Sequence, residues 1–168
     1  MKTIFNFISA DWKRVKNHCR TTVGKEFTDK EPTEDFKTKL LISEHTPIRL
    51  IEFDWSWKDI KSWVATEWSR HKFEKFITSQ RNDRQDKYDR RAARQDTPVI
   101  MGMLINGDAI KFVSRRRLCN KADPATRTVW KAIVDAIGKI DPIVAEACKP
   151  ECWWNGGRCF EPIPCNAK

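Results

Sequence analysis

Asp123-Pro124 is the feature of this chain that leaves the backbone least freedom. An Asp side chain accepts from the free N–H groups that open a helix, and Pro suits the first helical position, where no N–H is needed. Behind the pair, Trp130, Ile133, Val134 and Ile137 recur at helical spacing, and Gly138 and Pro142 mark the end or a kink. The resulting helix carries an apolar stripe that other elements must cover. With 168 residues, 40% of them apolar and eight of them Trp, the chain has the material for such a core. That composition excludes a disordered tail, a collagen-like repeat and a coiled coil. No run of about eighteen apolar residues occurs, so no helix is expected to span a membrane.

Other elements follow from the same kind of pattern. Residues 3–10 read as a first strand or a short amphipathic piece. Asn6 interrupts their apolar run and Asp11 and Lys13 end it, unlike a secretory signal, so a cytoplasmic protein is expected. Residues 24–36 are polar and read as a loop. Residues 40–53, with Ile48, Leu50 and Phe53 among charges, suggest a half-buried strand. Ser56-Trp57-Lys58-Asp59 has the form of a capping box, ahead of a helix bearing Ile60, Trp63, Val64 and Trp68, whose indoles belong in a core. Residues 81–94 hold six basic and three acidic side chains and form an exposed segment. Pro98 opens a buried strand over 99–106. Asp108 then caps a helix to about Leu118, with Arg115, Arg116 and Arg117 at its negative end. Helices and a few strands in irregular order describe a single α+β domain over 1–168, with a cysteine-rich tail at about 148–168.

The chain has 32 basic and 23 acidic residues, a net charge of +9. An anionic partner is implied: nucleic acid, a nucleotide, folate or anionic lipid. Six cysteines occur, at Cys19, Cys119, Cys148, Cys152, Cys159 and Cys165. In a reducing compartment clustered thiols hold metal more often than they form disulfides. The expected zinc set is Cys119, Cys152, Cys159 and Cys165, with Cys148 as a substitute; unligated thiols are the alternative.

No P-loop, G-x-G-x-x-G or G-x-S-x-G motif is present. What stands out is Ser69-Arg70-His71-Lys72, closing a helical stretch, with Ser79-Gln80-Arg81 beyond it. Arg forks and a hydroxyl suit a phosphorylated ligand, and an imidazole can stack on a flat ring. A solvated basic face is the simpler alternative.

Arg70-His71-Lys72 followed by Ser79-Gln80-Arg81 resembles the R-H-R…S-x-R signature of flavin-dependent thymidylate synthases (ThyX). Glu44-His45 lies upstream as does the family's E-H pair. Asn106, Arg117 and the run 122–127 resemble its N…L-R…A-Q-x-E-I-R block. The likeness covers about residues 40–140 and is strongest to short phage-encoded members, which implies the host cytoplasm.

It implies an α+β fold with a small mixed or antiparallel sheet packed with helices. It also implies methylation of a pyrimidine deoxynucleotide, most simply dUMP to dTMP, with reduced FAD, methylenetetrahydrofolate and NADPH, in a homo-oligomer, namely a homotetramer. No protein nucleophile is implied. His45, Arg70, His71, Lys72 and Asn106 would contact FAD. Ser79, Arg81 and Arg117 would bind the nucleotide, with Glu67 where the family has a Gln and Gln80 at the Ser position of a gapless alignment. Two other readings stand beside this one. One is a non-catalytic basic protein binding nucleic acid through residues 84–94, Arg115 to Arg117 and stacking Trp side chains. The other is a nucleotide-binding remnant of the ThyX fold.

Overall fold

The computed structural model describes residues 1–85 and 88–165, with the side chain of Phe7 left aside. Asp86 and Lys87 of the basic segment and residues 166–168 of the tail lie outside the described residues. The chain divides into two compact units. Met1–Phe7 with Phe53–Ile105 form the first, and Ile8–Glu52 with Asn106–Lys168 the second.

The first unit is built on a four-stranded sheet, order β1-β2-β4-β3, from β1 (Lys2–Ser9), β2 (Glu52–Lys61), β3 (Glu74–Ile77) and β4 (Pro98–Asn106). β3 runs antiparallel to β4, with Glu74 opposite Leu104 and Ile77 opposite Met101. Alternation decides the buried face: Phe53, Trp55 and Trp57 on β2, and Val99, Met101, Met103 and Ile105 on β4. On β2 the alternation slips by one after Trp57. Asp59 adopts φ +60° there, and the next buried side chain is Ile60.

That slip corrects the capping-box reading. Ser56 to Asp59 belong to the strand, and helix α3 occupies Ser62–Ser69. No side chain caps α3. Its opening N–H groups instead donate to carbonyls of a later loop, Ser62 N to Thr97 O and Trp63 N to Gln95 O, both at 3.0 Å. Only folding brings those acceptors to the helix, so local sequence carried no sign of them.

The second unit is helical. It holds α1 (Trp12–Thr21), α2 (Glu34–Ile42), a 3-10 turn (Thr46–Leu50), α4 (Gly107–Arg117), α5 (Pro124–Gly138), α6 (Pro142–Ala147) and the short α7 (Glu151–Trp154). The strand expected over 40–53 is therefore the end of α2, the 3-10 turn and only the start of β2. α5 begins as expected, with Asp123 accepting from Ala125 N and Thr126 N. Trp130, Ile133 and Ile137 are buried along it, while Val134 is half-buried.

Asn106, not Asp108, caps α4: its Oδ1 accepts from Ala109 N at 2.8 Å. Asp108 pairs with Arg49 at 3.1 Å instead. Gly107 follows because the chain passes close to the 3-10 turn. Its N–H donates to Ile51 O, and a Cβ there would lie 2.6 Å from Ile48 O.

Candidate functional site

In the first unit, three indoles support the motif residues. Trp55 and Trp57 share one face of β2 with ring centroids 5.4 Å apart, and Trp68 of α3 lies 5.6 Å from Trp57. α3 ends directly after Trp68, which places Arg70, His71 and Lys72 in the turn between α3 and β3. His71 continues the ladder, 6.0 Å from Trp68 and stacked on Phe73 at 5.8 Å and 17°. Its carbonyl accepts from Lys75 Nζ at 2.6 Å. A partly exposed imidazole is thus held flat against aromatic neighbours, while Arg70 and Lys72 project into solvent on either side. Glu67, half-buried on α3, lies 3.6 Å from Arg70.

Ser79, Gln80 and Arg81 follow β3. The two halves of the motif therefore stand at opposite ends of a four-residue edge strand, about 13 Å apart at the usual rise per residue. They cannot grip one phosphate within this unit. They can hold separate anionic groups. Ser79 Oγ accepts from Arg81 N at 3.3 Å, and Gln85 Nε2 donates to Ser79 O at 2.6 Å. Arg81 forks onto Asp83 through Nε (2.8 Å) and Nη2 (2.6 Å). That guanidinium holds the Asp83 carboxyl below its ordinary pKa. Gln80 is exposed.

The other predicted site residues belong to the second unit. His45 is exposed at the head of the 3-10 turn and lines a cavity of about 360 Å³ with Cys19, Phe36 and Leu40. Asn106 spends its carbonyl oxygen on the α4 cap, which leaves its amide N–H groups as the donors a ligand could use. Arg117 ends α4 and lines a different cavity, of about 390 Å³, together with Cys119, Cys152, Cys159 and Cys165.

All four cysteines named for zinc therefore line one cavity. Among the described residues, however, no three His, Cys, Asp or Glu side chains are placed so that they could hold a metal ion, so the structure gives the expected zinc set no metal site. The substitute ligand does not join them. Cys148 is buried, lines a separate cavity and donates to Val144 O at 3.4 Å. Burial pushes its thiol up to about 11.

A constellation not foreseen from the sequence lies beside Glu44. This residue adopts φ +54° and accepts from Arg115 and Lys111. Lys111 is 1% exposed, whereas its apolar neighbour Phe112 is 55% exposed. Its ammonium donates to Leu41 O and sits 4.6 Å over the Trp154 ring, with Arg115 at 4.7 Å from the same ring. Burial lowers the Lys111 pKa against the opposing pull of Glu44. The only local hint was that Lys111, next to Ile110, falls near the buried side of α4.

No family model and no curated protein sequence matches the chain. Solved structures do. A flavin-dependent thymidylate synthase from Helicobacter pylori, complexed with FAD and dUMP, aligns over 89% of this chain and 100% of its own, with a TM-score of 0.73 at 15% identity. A second structure of that enzyme gives 0.72 at 13% identity, covering 88% of this chain and 98% of its own. A UMP/dUMP methylase from Streptomyces cacaoi, bound with 5-Br dUMP, gives 0.68 at 13%, covering 87% of this chain and 93% of its own. The chain has the α+β fold of flavin-dependent thymidylate synthases. Among the described residues no helix is long and apolar enough to cross a membrane.

Proposed function

We propose that this chain is a flavin-dependent methylating enzyme acting on a pyrimidine deoxynucleotide, in the simplest case converting dUMP to dTMP. One observation carries the reading: a likeness of fold over nearly the whole chain, joined to Arg70-His71-Lys72 and Ser79-Arg81 on exposed turns around β3. The donor set fits FAD in kind. A flat imidazole on an aromatic bed offers a surface to a ring system, and Arg70 and Lys72 offer charge to a diphosphate. His45 and Asn106 complete the set assigned to FAD. When bound, FAD supplies the redox chemistry, with methylenetetrahydrofolate as carbon donor and NADPH as reductant.

The chain's own residues do the positioning. His71 presents a ring face fixed by Phe73 and Trp68. Ser79 and Arg81 neutralise the nucleotide phosphate, and Arg117 donates to the uracil edge. Glu67 holds Arg70 in place through their ion pair, and Gln80 adds a neutral donor. Arg81 exchanges Asp83 for phosphate on binding, a trade between two forked anionic partners. We propose further that the chain works as one functional domain and assembles as a homotetramer in the cytoplasm. In this reading much of the +9 charge serves nucleotide ligands rather than nucleic acid.

Flavin binding tests the proposal. Purified protein should bind FAD and dUMP in calorimetry and show flavin absorbance. His71→Ala or Arg70→Ala should weaken FAD binding about tenfold or more, the scale of a charged hydrogen bond. Absence of FAD binding by the intact protein overturns the proposal. Activity is tested by rescue of a thymidine-requiring strain; FAD and dUMP binding without rescue would instead support the nucleotide-binding remnant.

A further inference from the structure

Strand β3 ends the sheet of the first unit. It pairs with β4 on one side, and among the described residues no strand lies on the other. Such an edge presents N–H and C=O groups that can template a further strand. The register identifies them. Thr78 N donates to Ile100 O at 2.9 Å, so the alternate residues Phe76 and Glu74 also turn their backbone groups toward β4. Lys75 and Ile77 turn theirs outward. Exposed apolar side chains gather at the same place: Phe76 is 69% exposed, Ile100 50% and Ile77 41%. Phe76 stands opposite Gly102, on the face of the sheet away from the buried Met101 and Met103.

We infer that this edge is an association surface for a second copy of the chain. The two β3 strands pair antiparallel about a two-fold axis through Phe76, and two four-stranded sheets become one.

Three features select a second copy as the occupant. The first is register. A two-fold axis normal to the sheet brings together residues of the same face, so it must pass through a residue and not between two. Centred on Phe76, it sets Lys75 of each chain opposite Ile77 of the other. These are the residues whose backbone groups point outward, so each such N–H within the paired strands meets a carbonyl. An axis through Lys75 or Ile77 makes only half as many of these bonds within Glu74–Ile77.

The second is the side chains. At the axis, Phe76 meets Phe76 of the copy in a pair without hydrogen bonds, the kind in which side chains stand closest. Ile100 lies on the same face, and on the other face Ile77 is diagonal to Ile77 of the copy. The most exposed ring of the edge is thereby taken out of water.

The third is the motif. Within one chain, Arg70-His71-Lys72 and Ser79-Gln80-Arg81 stand at opposite ends of β3. Antiparallel pairing sets His71 of one chain level with Arg81 of the other, at both ends of the ribbon. Resting on the function proposed above, this places the flavin residues of one chain beside the nucleotide residues of its copy. The two reactants must touch there, which the separation within one chain does not allow. Arg70 and Lys72 then share an end with Arg81 of the copy, a cationic cluster that suits two anionic ligands.

The test begins with the full-length protein, reduced and free of ligand, in sedimentation. An even-numbered oligomer is expected at micromolar concentration. Ile77→Pro removes an outward N–H and leaves the β4 ladder whole, a position where Pro is tolerated. It should raise the dissociation constant at least about tenfold. FAD binding should weaken in parallel, with circular dichroism confirming the fold. Phe76→Cys tests the register and stands even if Ile77→Pro does not fold. Paired Cα atoms without hydrogen bonds lie about 4.5 Å apart, within disulfide reach. Oxidised glutathione should therefore join two chains through position 76, identified by peptide mapping among the native thiols. Glu74→Cys, which faces Thr78 of the copy, should give no such link. A monomeric wild type overturns the inference, as does Ile77→Pro that associates like the wild type. Linkage through position 74 in place of 76 overturns it too. FAD bound as tightly by a monomeric Ile77→Pro variant as by the wild type overturns the shared site. A wild-type oligomer linked through position 76 that binds no FAD upholds the pairing and overturns the flavoenzyme reading instead.

Discussion

The two units stabilise themselves in different ways. In the first, rings meet rings: Trp55, Trp57, Trp68, His71 and Phe73 form a continuous ladder whose cohesion comes from apolar burial and ring packing. In the second, several buried polar groups are held by specific partners. Trp12 Nε1 donates to Asp141 Oδ2 at 2.5 Å, and Asp141 Oδ1 caps α6 through Ile143 N and Val144 N. Trp130 Nε1 donates to Ser114 Oγ at 2.9 Å, and Lys111 is satisfied by Leu41 O and Glu44. Ring packing tolerates small shifts, whereas a buried polar group without its partner carries a full desolvation penalty. The first unit can therefore display charged turns at its margin, while the second depends on a few specific bonds.

The largest expected effect tests the aromatic side of that contrast. Trp68→Ala should cost about 3–5 kcal/mol in chemical denaturation and abolish the ordered imidazole of His71, visible as shifted and broadened His71 ring resonances by NMR. If the loss is under about 1 kcal/mol, the ladder is not what supports the motif turn. Next comes Asp141→Ala, which removes an N-cap and the partner of a buried indole at once. A loss of about 2–4 kcal/mol is expected, with Asp141→Asn recovering part of it. Equal losses for Ala and Asn would show that charge, not hydrogen bonding, is what matters there.

Cys148 gives a pH signature of the same unit. Its thiol is raised from 9.0 to about 11 in the folded chain. Between these values the unfolded chain releases the proton and the folded chain keeps it, so stability falls as pH rises through that window. The fall should reach about 2–3 kcal/mol near pH 11 and vanish in Cys148→Ala. Lys111 works in the opposite sense. Its folded pKa is depressed, so the unfolded chain holds more protons in the window that ends at 10.5, and stability rises with pH there. Lys111→Met should remove that rise while changing stability at neutral pH by less than about 1 kcal/mol, because lost bonds and relieved desolvation offset one another. The smallest effect belongs to the first unit's exposed margin. Asp83→Ala should leave the melting temperature unchanged and strengthen dUMP binding a few-fold, since Arg81 no longer has a competing carboxylate. Weaker binding would mean that Asp83 orients Arg81 rather than competing for its fork.

Asp123-Pro124, Pro98 with its alternating strand, and the α4 cations were legible because each acts within a few residues of itself. The wrong boundaries share one cause. Residues 40–53 lost their strand to a 3-10 turn packed on Gly107, and Ser56-Asp59 its helix to the slip at Asp59 and the Thr97 and Gln95 carbonyls, all of them distant or conformational causes. The site shows the same division. Arg70-His71-Lys72 and Ser79-Arg81 were readable as motifs, but the ring bed beneath His71 and the Arg81–Asp83 fork depend on packing and rotamers.

The sequence by itself determined which side chains could do chemistry: the basic motif residues, the six cysteines, the capping acids and the indoles. Tertiary structure decided which of them work together. It set Lys111 inside and Phe112 outside, against their polarity, because Leu41 O, Glu44 and Trp154 meet the ammonium there. It placed Cys119, Cys152, Cys159 and Cys165 in the lining of one cavity and Cys148 in that of another. The reason is physical: local pattern sets the preference of each backbone segment, but the worth of a buried charge or thiol depends on partners that only the folded chain supplies.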